Sequence, residues 1–484
     1  MRPWWHDMYP EEVEIASDGS KYRQSFASQI WREQAKDFLR GFIAHLQKIG
    51  LDDRVVAYQV GAGHTGEWVK GKISMYYLTG DYSRPMQEHF REWLKEHYHN
   101  DVNSLRIHNK LYLFEDDTRT HTNDHPAYGR ARDLQESTAI LKRNLAYIAT
   151  HGHGVWWLIN QGHMDPTYEP AFKPLIKSFQ ELGTFIQYTN RTPSAEVAVL
   201  LDDESFFYET VKNELDFPLI FKQRLVGLPR MGAPFDVYLL HDFLEGRLRP
   251  YKLYIFLNAF RLDEHRRSAL KKELRRGGRT AVWIYAPGYI KDMPAVENIE
   301  DITGIKVASH DRPWPSYIHI TNYQHALTQN LTQDVTWGTD SRLAPLFHVE
   351  DPEAVELGQV VYSQGRCRVG YALKKFPEWT SIYSAVPNLP SAVLREIART
   401  AGVHLYSEKG DVLYATSELL GVHTLSGGTR RFELTRNVEI VYDLFNRKAI
   451  AEGVRFFEVS LDPVSTSLFY TGKKELLQRL RQRP

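Results

Sequence analysis

The sequence predicts an α/β protein in three parts, of which the last is a small antiparallel β domain. The first part alternates amphipathic helical stretches with short apolar strands, which indicates a mostly parallel sheet with helices outside it. After Pro193, four apolar strand runs separated by helical stretches indicate a doubly wound α/β domain. Beyond residue 403 the pattern changes to short β-type segments with turn residues between them. We therefore expect domains at 1–190, 191–403 and 404–484.

The first part begins with a clear amphipathic helix over 25–50. Its apolar residues recur at three- and four-residue spacing, and the stretch ends at a glycine. The same reasoning predicts further helices at 83–98, near 134–151 and near 168–183. Apolar runs predict the strands 54–63, 110–115 and 154–159.

The strands of the second and third parts can be read directly from short apolar runs. In the middle part these are AEVAVLLDD, FDVYLLHD, YKLYIFLNA and TAVWIYAPG, with the basic helix DEHRRSALKKELRRGG before the last of them. In the final part they are DVLYATS, RRFELT, VEIVYDLF and RFFEVSL. Regular spacing of such runs is typical of an antiparallel sheet.

Composition excludes several classes of partner. Of 484 residues, Lys+Arg and Asp+Glu number 60 each, so no sequence-wide field exists to hold nucleic acid or an anionic membrane. The single Cys367 cannot form an internal disulfide, and we expect it to be a buried structural thiol. Neither an export signal nor an apolar run of the roughly 20 residues that span a bilayer is visible. A cytoplasmic protein is expected.

Charged residues gather where two predicted strands end. GAGHTGEW, residues 61–68, places His64, Glu67 and Trp68 in a glycine-rich loop. Because the carboxyl ends of parallel strands form the reactive face of such sheets, we expect this loop to meet the end of the next strand.

The second cluster is FEDDTRTH, residues 114–121, which contains Glu115, Asp116, Asp117, Arg119 and His121. Two facing carboxylates can divide the roles of acid and nucleophile, and glycoside cleavage with retention needs them about 5 to 5.5 Å apart. The alternative is that the cluster is an ion-paired loop in which Arg119 neutralises an acid, and that Glu67 caps a helix.

Aromatic residues follow the next strand. Trp156 and Trp157 end GVWW, and Asn160 lies just beyond them. Since strand side chains alternate, one indole should face the interior of the sheet and the other its helices. An indole stacked under a sugar is one interpretation, and a core tryptophan is the other.

A metal site is a weaker hypothesis. His121, Asp124 and His125, or the two histidines of HGH at 151–153, are possible zinc ligands. Neither set has the helical two-histidine spacing of known sites, so we expect no metal and no cofactor.

Several stretches together resemble beta-galactosidases of glycoside hydrolase family 42. They are SDGSKYRQSFASQIWREQ, VVAYQVGAGHTGEW, MQEHFREWLKEHY, KLYLFEDDTRTH and GVWWLINQGHMDP. AEVAVLLDDES and DITGIKV resemble the family's amidotransferase-like trimerisation domain, and DVLYATSELLGVHTLSGGTRRFELTRNVEIVYDLF its C-terminal β domain. The resemblance implies a (β/α)8 barrel in the first part and a homodimer or homotrimer.

Carried over by position, the resemblance implies Glu67 as acid/base and Glu115 as nucleophile. With them, the resemblance implies that Trp156 or Trp157 lines the sugar site. The full set of substrate contacts that we predict is His64, Trp68, Asp117, Arg119, Trp156, Trp157 and Asn160. In the family the acid/base directly follows an asparagine, whereas here Ala62 and Gly63 occupy that place. Glu67 and Glu115 are also too close in sequence for the βα units that a full barrel needs between them, so a truncated barrel is expected.

The predicted function is that of a retaining glycoside hydrolase-like protein acting on β-galactosides or related β-linked sugars. Its partner is a carbohydrate substrate. The alternative is a non-catalytic carbohydrate-binding or assembly protein derived from such an enzyme.

Overall fold

The computed structural model describes most of the chain. The described residues are 5–15, 20–52, 85, 106–108, 112–122, 130–157, 168–209, 215, 217–362 and 365–481. The chain forms two compact units, Met1–His99 and Asn100–Pro484.

The first unit contains one long helix after a small hairpin. Its elements are α1 (Trp5–Met8), β1 (Val13–Ile15), β2 (Lys21–Gln24) and α2 (Gln29–Lys48), with β1 and β2 antiparallel. The helix predicted at 25–50 is confirmed as α2, which begins where the Ser28 side chain accepts a hydrogen bond from the Trp31 N–H. The strand predicted at 54–63 lies outside the described residues, as does all of 83–98 except Pro85.

The second unit begins with a parallel strand pair backed by two helices. The elements are β3 (Leu113–Asp116), α3 (Leu134–His151), β4 (Gly154–Trp157) and α4 (Tyr168–Ile186), and β3 pairs with β4 in parallel. Asp133 caps α3, and Gly152 ends it in the left-handed region at φ 76°. The two helices bury a shared apolar cluster of Leu141, Leu145, Phe172 and Phe179. Among the described residues these two strands form a sheet of their own, and no closed barrel is present.

A nine-stranded sheet follows, and half of it is parallel. Its parallel strands are β5 (Val197–Leu201), β6 (Phe235–Leu239), β7 (Leu253–Phe256), β8 (Arg279–Ile284) and β15 (Trp379–Ser384), in the order β6-β5-β7-β8-β15. The four strands predicted after Pro193 are β5 to β8, and their order is that of a doubly wound sheet. Helices α5 (Leu240–Leu244), α6 (Glu264–Leu274), α7 (Val296–Thr303) and α8 (Ser391–Thr400) belong to the same region.

Four antiparallel strands extend this sheet beyond β15. They are β10 (Trp314–Ile320), β11 (Thr336–Leu343), β13 (Val355–Tyr362) and β14 (Arg366–Lys375), and the separate hairpin of β9 (Val307–His310) and β12 (Leu346–Val349) lies between them in sequence. Cys367 is exposed near the start of β14, so the expectation of a buried thiol is wrong. Cys367 lies between Arg366 and Arg368, and all three residues are exposed because this end of β14 is open to solvent.

The chain ends in a five-stranded antiparallel sheet. The strands are β16 (Val412–Ala415), β17 (Leu419–Thr424), β18 (Gly428–Asp443), β19 (Lys448–Leu461) and β20 (Ser465–Gly472), followed by α9 (Lys474–Arg481). One face of this sheet buries its own core around Phe432, and the other packs Leu468 and Tyr470 against α3 and α4. No helix in the described ranges is both long and apolar enough to cross a membrane.

Candidate functional site

The β3–β4 pair divides its side chains between two faces. Glu115 lies opposite Trp156 in the ladder, and Asp116 lies opposite Trp157. Because side chains alternate along a strand, Glu115 and Trp156 share one face and Asp116 and Trp157 the other. The Trp157 ring packs 5.9 Å from that of Phe179 in α4, so its face is the one covered by helices. The prediction that one of the two indoles faces the helices is confirmed for Trp157.

Glu115 is exposed at the carboxyl end of β3. Within the described part of the chain its carboxylate makes no hydrogen bond and no ion pair. A carboxylate beside an indole, on the face turned away from the helices, has the chemistry that recognises a sugar: the ring stacks and the acid reacts or accepts a hydroxyl hydrogen.

Asp116 holds the loop that follows β3. Its side chain is 3% exposed, and its Oδ1 accepts hydrogen bonds from the Thr118 N–H at 3.2 Å and hydroxyl at 2.6 Å. Asn144 of α3 donates to the same oxygen at 3.1 Å and to the Thr118 Oγ1 at 2.9 Å. Asp116 belongs to the predicted charged cluster but was given no role there, and Asn144 was not predicted at all. The Asp-x-Thr spacing of an Asx turn is the one signal that predicts the contact with Thr118.

Asp117 and Arg119 form an ion pair in this loop. The Arg119 side chain is only 10% exposed, whereas that of Asp117 is 41% exposed. The ion-paired loop that the sequence left as an alternative is therefore present for these two residues. Their contacts with a substrate stay a prediction.

His121 anchors the other end of the loop to α3. Its backbone N–H donates to the Ser137 Oγ at 3.0 Å, and its ring Nδ1 lies 2.9 Å from the same oxygen. Asp124 and His125, considered with it as metal ligands, lie outside the described residues. In the ranges given above, no three His, Cys, Asp or Glu side chains come together as a metal site requires.

The histidines of HGH lie at the opposite end of β4 from Glu115. The His151 Nδ1 is 2.7 Å from the Tyr147 carbonyl oxygen, and burial lowers its pKa. Burial also lowers the pKa of His153 to about 4, with smaller contributions from His151 and nearby arginines. Both rings are therefore neutral at pH 7, and each packs against an aromatic neighbour.

The rest of the predicted site lies outside the described residues. This applies to His64, Glu67, Trp68 and Asn160. The separation of Glu67 from Glu115 therefore stays a prediction. Of the predicted site residues, the structure places Glu115, Asp117, Arg119, Trp156 and Trp157 at the carboxyl end of one parallel strand pair or directly after it.

The chain is similar to known proteins in its three-dimensional structure, but its sequence matches no known family. No family model matches the chain, and no curated protein matches it. A beta-galactosidase from Bacillus circulans sp. alkalophilus aligns over 97% of this chain and 87% of its own, with 12% identity and a TM-score of 0.62. The beta-galactosidase of the Antarctic haloarchaeon Halorubrum lacusprofundi aligns over 98% and 88%, with 11% identity and a TM-score of 0.59.

A third similar structure is that of a named member of glycoside hydrolase family 42. It is a catalytic mutant of a GH42 beta-galactosidase from G. stearothermophilus, aligned over 97% of this chain and 86% of its own, with 14% identity and a TM-score of 0.58. Identities this low describe the backbone and not the chemistry. The chain is therefore similar in fold to the glycoside hydrolase family 42 beta-galactosidases.

Proposed function

We propose that this protein is a retaining glycoside hydrolase acting on β-galactosides or related β-linked sugars. The observation that carries the proposal is the exposed Glu115 carboxylate, in register with Trp156 at the carboxyl end of a parallel strand. The fold shared with beta-galactosidases over nearly the whole chain supports it. Fold alone does not imply activity, so the proposal depends on the site.

The reaction is a double displacement. Glu115 attacks the anomeric carbon and forms a glycosyl ester, while Glu67 protonates the leaving oxygen and then activates water. Trp156 stacks on the sugar face, and Trp68 adds a second aromatic contact. The predicted sugar contact of Trp157 is not proposed further, because its ring packs on Phe179 of α4, on the other face of the strand pair. His64, Asp117, Arg119 and Asn160 contact hydroxyl groups. This chemistry requires neither cofactor nor metal.

Hydrolysis of o-nitrophenyl β-galactoside by the full chain tests the proposal. Glu115→Gln keeps the shape of the side chain but removes the nucleophile, and we expect kcat to fall by about 10³-fold or more. Glu378→Gln, at another exposed glutamate, is the matched control and keeps the wild-type rate. Wild-type activity in Glu115→Gln refutes the assignment.

A 2-fluoro galactoside separates the enzyme from the alternative. Covalent labelling of Glu115, located by peptide mass spectrometry, supports the retaining mechanism. Sugar binding without labelling supports the non-catalytic carbohydrate-binding protein instead. The ion pair between Asp117 and Arg119 favours this alternative, because each of the two charges is already used in binding the other.

The wider organisation is proposed on the resemblance. We propose three domains with the limits 1–190, 191–403 and 404–484, of which the first is a truncated barrel. We also propose a cytoplasmic location. We also propose a homodimer or homotrimer assembled through the middle domain, which sedimentation equilibrium tests directly.

A further inference from the structure

We propose that Asp116, Thr118 and Asn144 are positioning residues, which together fix the direction of the Glu115 side chain for its attack on the sugar. The inference rests on the proposed function. It goes beyond it by assigning a role to side chains on the helix-covered face of the strand pair, where no sugar contact is proposed.

The three side chains form a closed set of hydrogen bonds, which we call the Asp116 network. The Thr118 hydroxyl donates to the Asp116 Oδ1 at 2.6 Å. The Asn144 amide nitrogen donates to the same Oδ1 at 3.1 Å and to the Thr118 Oγ1 at 2.9 Å. A side-chain amide has two hydrogens and a hydroxyl has one, so every hydrogen of the network has its own acceptor inside it.

The end of β3 needs support from outside its own sheet. The strand has four residues, and β4 is its one partner within the described ranges. Asp116 is the last residue of the ladder, opposite Trp157, and Glu115 is the last but one. Two strands alone are marginally stable, and strand ends are the first part to open. The direction of Glu115 therefore depends on what holds the residue after it.

The Asp116 network supplies that support from α3. This helix is capped at both ends, and it packs Leu141 and Leu145 into the apolar cluster that it shares with α4. The Asn144 side chain thus projects from a well-anchored element. Because side chains alternate along a strand, holding Asp116 toward α3 turns Glu115 toward the opposite face.

The chemistry of Asp116 favours a role in direction over one in stability alone. Its side chain is 3% exposed, and taking a carboxylate out of water costs free energy that an apolar side chain in the same place would not. The carboxylate adds angular precision instead, since its Oδ1 accepts from the Thr118 hydroxyl, the Thr118 N–H and Asn144. Such support behind a reacting group is what holds it in productive geometry.

Two pairs of variants test the network in the full chain. Thr118→Val removes the hydroxyl at nearly constant shape, and Thr118→Ser, which keeps a hydroxyl, is its matched control. Asn144→Asp keeps the shape but has no hydrogen to donate, and it places a second carboxylate beside Asp116. Gln180→Glu, at an exposed position of α4, adds the same charge away from the network.

Hydrolysis of o-nitrophenyl β-galactoside is the first readout. A displacement of about 1 Å at a reacting atom can lower the rate by about 10²-fold, so we expect kcat to fall by about 10- to 100-fold in Thr118→Val and Asn144→Asp. KM should stay within about twofold, because the proposed sugar contacts lie on the other face of the strand pair. Both controls should keep the wild-type kcat.

The rate of labelling by the 2-fluoro galactoside is the second readout. If the network positions Glu115, each variant is labelled completely but more slowly than the wild type. If the network only stabilises the fold, a smaller fraction of the chains is labelled, and that fraction reacts at the wild-type rate. Should Asn144→Asp fail to fold, the comparison of Thr118→Val with Thr118→Ser decides alone.

The outcomes separate this inference from the proposed function. A wild-type kcat in Thr118→Val and Asn144→Asp, or a reduced labelled fraction at an unchanged rate, overturns the positioning role while hydrolysis by the wild type still supports the hydrolase. A wild type that neither cleaves galactosides nor is labelled at Glu115 refutes both.

Discussion

His423 makes the stability of this protein depend on pH in a predictable direction. The residue is 5% exposed on β17, and its Nδ1 lies 2.8 Å from the Thr466 Oγ1, which donates to the Ala139 carbonyl oxygen of α3 at 2.6 Å. Burial is the main reason that its pKa falls from the ordinary value of 6.5 to about 4, and the charges of Arg143 and Arg230 lower it further.

The sign follows from which state binds the proton first. As the pH falls through 6.5, the unfolded chain protonates at this position, while the folded chain does not until about pH 4. The stability that neutral His423 contributes is therefore complete above pH 6.5 and is lost progressively below it. From the two pKa values, the free energy of unfolding should fall by about 2 kcal/mol between pH 7 and pH 5. The total loss should reach about 3 kcal/mol once the pH is below 4.

Urea unfolding at pH 7 and pH 5, followed by circular dichroism, measures this contribution. His423→Asn keeps a donor to Thr466 but cannot titrate, so its free energy of unfolding should fall by about 2 kcal/mol less between the two pH values than that of the wild type. His265→Asn, at the exposed position in α6, is the control and should keep the wild-type dependence. Equal pH dependence of the wild type and His423→Asn would refute the reasoning.

Three further substitutions test packing, and urea unfolding at pH 7 measures each. Gly232→Ala places a Cβ 1.9 Å from a backbone carbonyl oxygen and should cost clearly more than Gly246→Ala, which meets open space and carries only the left-handed strain of roughly 1–2 kcal/mol. Asp411→Asn leaves the buried Arg430 guanidinium, now 2.5 Å from the carboxylate, without its counter-charge and should cost about 3–5 kcal/mol. Phe432→Ala empties the fully buried centre of the terminal sheet and should also cost about 3–5 kcal/mol. A cost below 1 kcal/mol in either of the last two contradicts the packing described here.

Local signals predicted the elements that end in strong caps. The helix expected near 134–151 is found at Leu134–His151, because Asp133 accepts from the Glu136 N–H at one end and Gly152 supplies the left-handed residue at the other. The four apolar runs of the middle part could also be predicted from local sequence. These strands are almost entirely buried, so a continuous apolar run is enough to identify each of them.

The pairing of strands that are distant in sequence could not be predicted from the sequence. Strands β10, β11, β13 and β14 add an antiparallel half to a sheet that was expected to be doubly wound up to residue 403. Their side chains alternate between buried and exposed in short, irregular patterns, and which strand pairs with which depends on contacts made elsewhere. Cys367 was misjudged for the same reason, since its burial depends on what covers the sheet.

In the candidate site, too, residue types and strand ends could be predicted from the sequence, but contacts between distant segments could not. The types of Glu115 and Trp156 and the position of each at the end of a predicted strand were sufficient to select them. The contacts of Asp116 with Asn144 and of His121 with Ser137 join a loop to a helix. Such contacts depend on the angle at which the helix returns to the strand, which no local pattern encodes.

The acids of the EDD run now have different surroundings, and this difference argues for the assignment of Glu115. Asp116 is buried and bound by Thr118 and Asn144, and Asp117 is paired with Arg119. Glu115 instead projects from the face shared with Trp156, and within the described residues its carboxylate is bound to nothing. The proposed nucleophile is thus the one acid of the run that no described residue binds, and Glu115→Gln is the variant that tests the proposed function most directly.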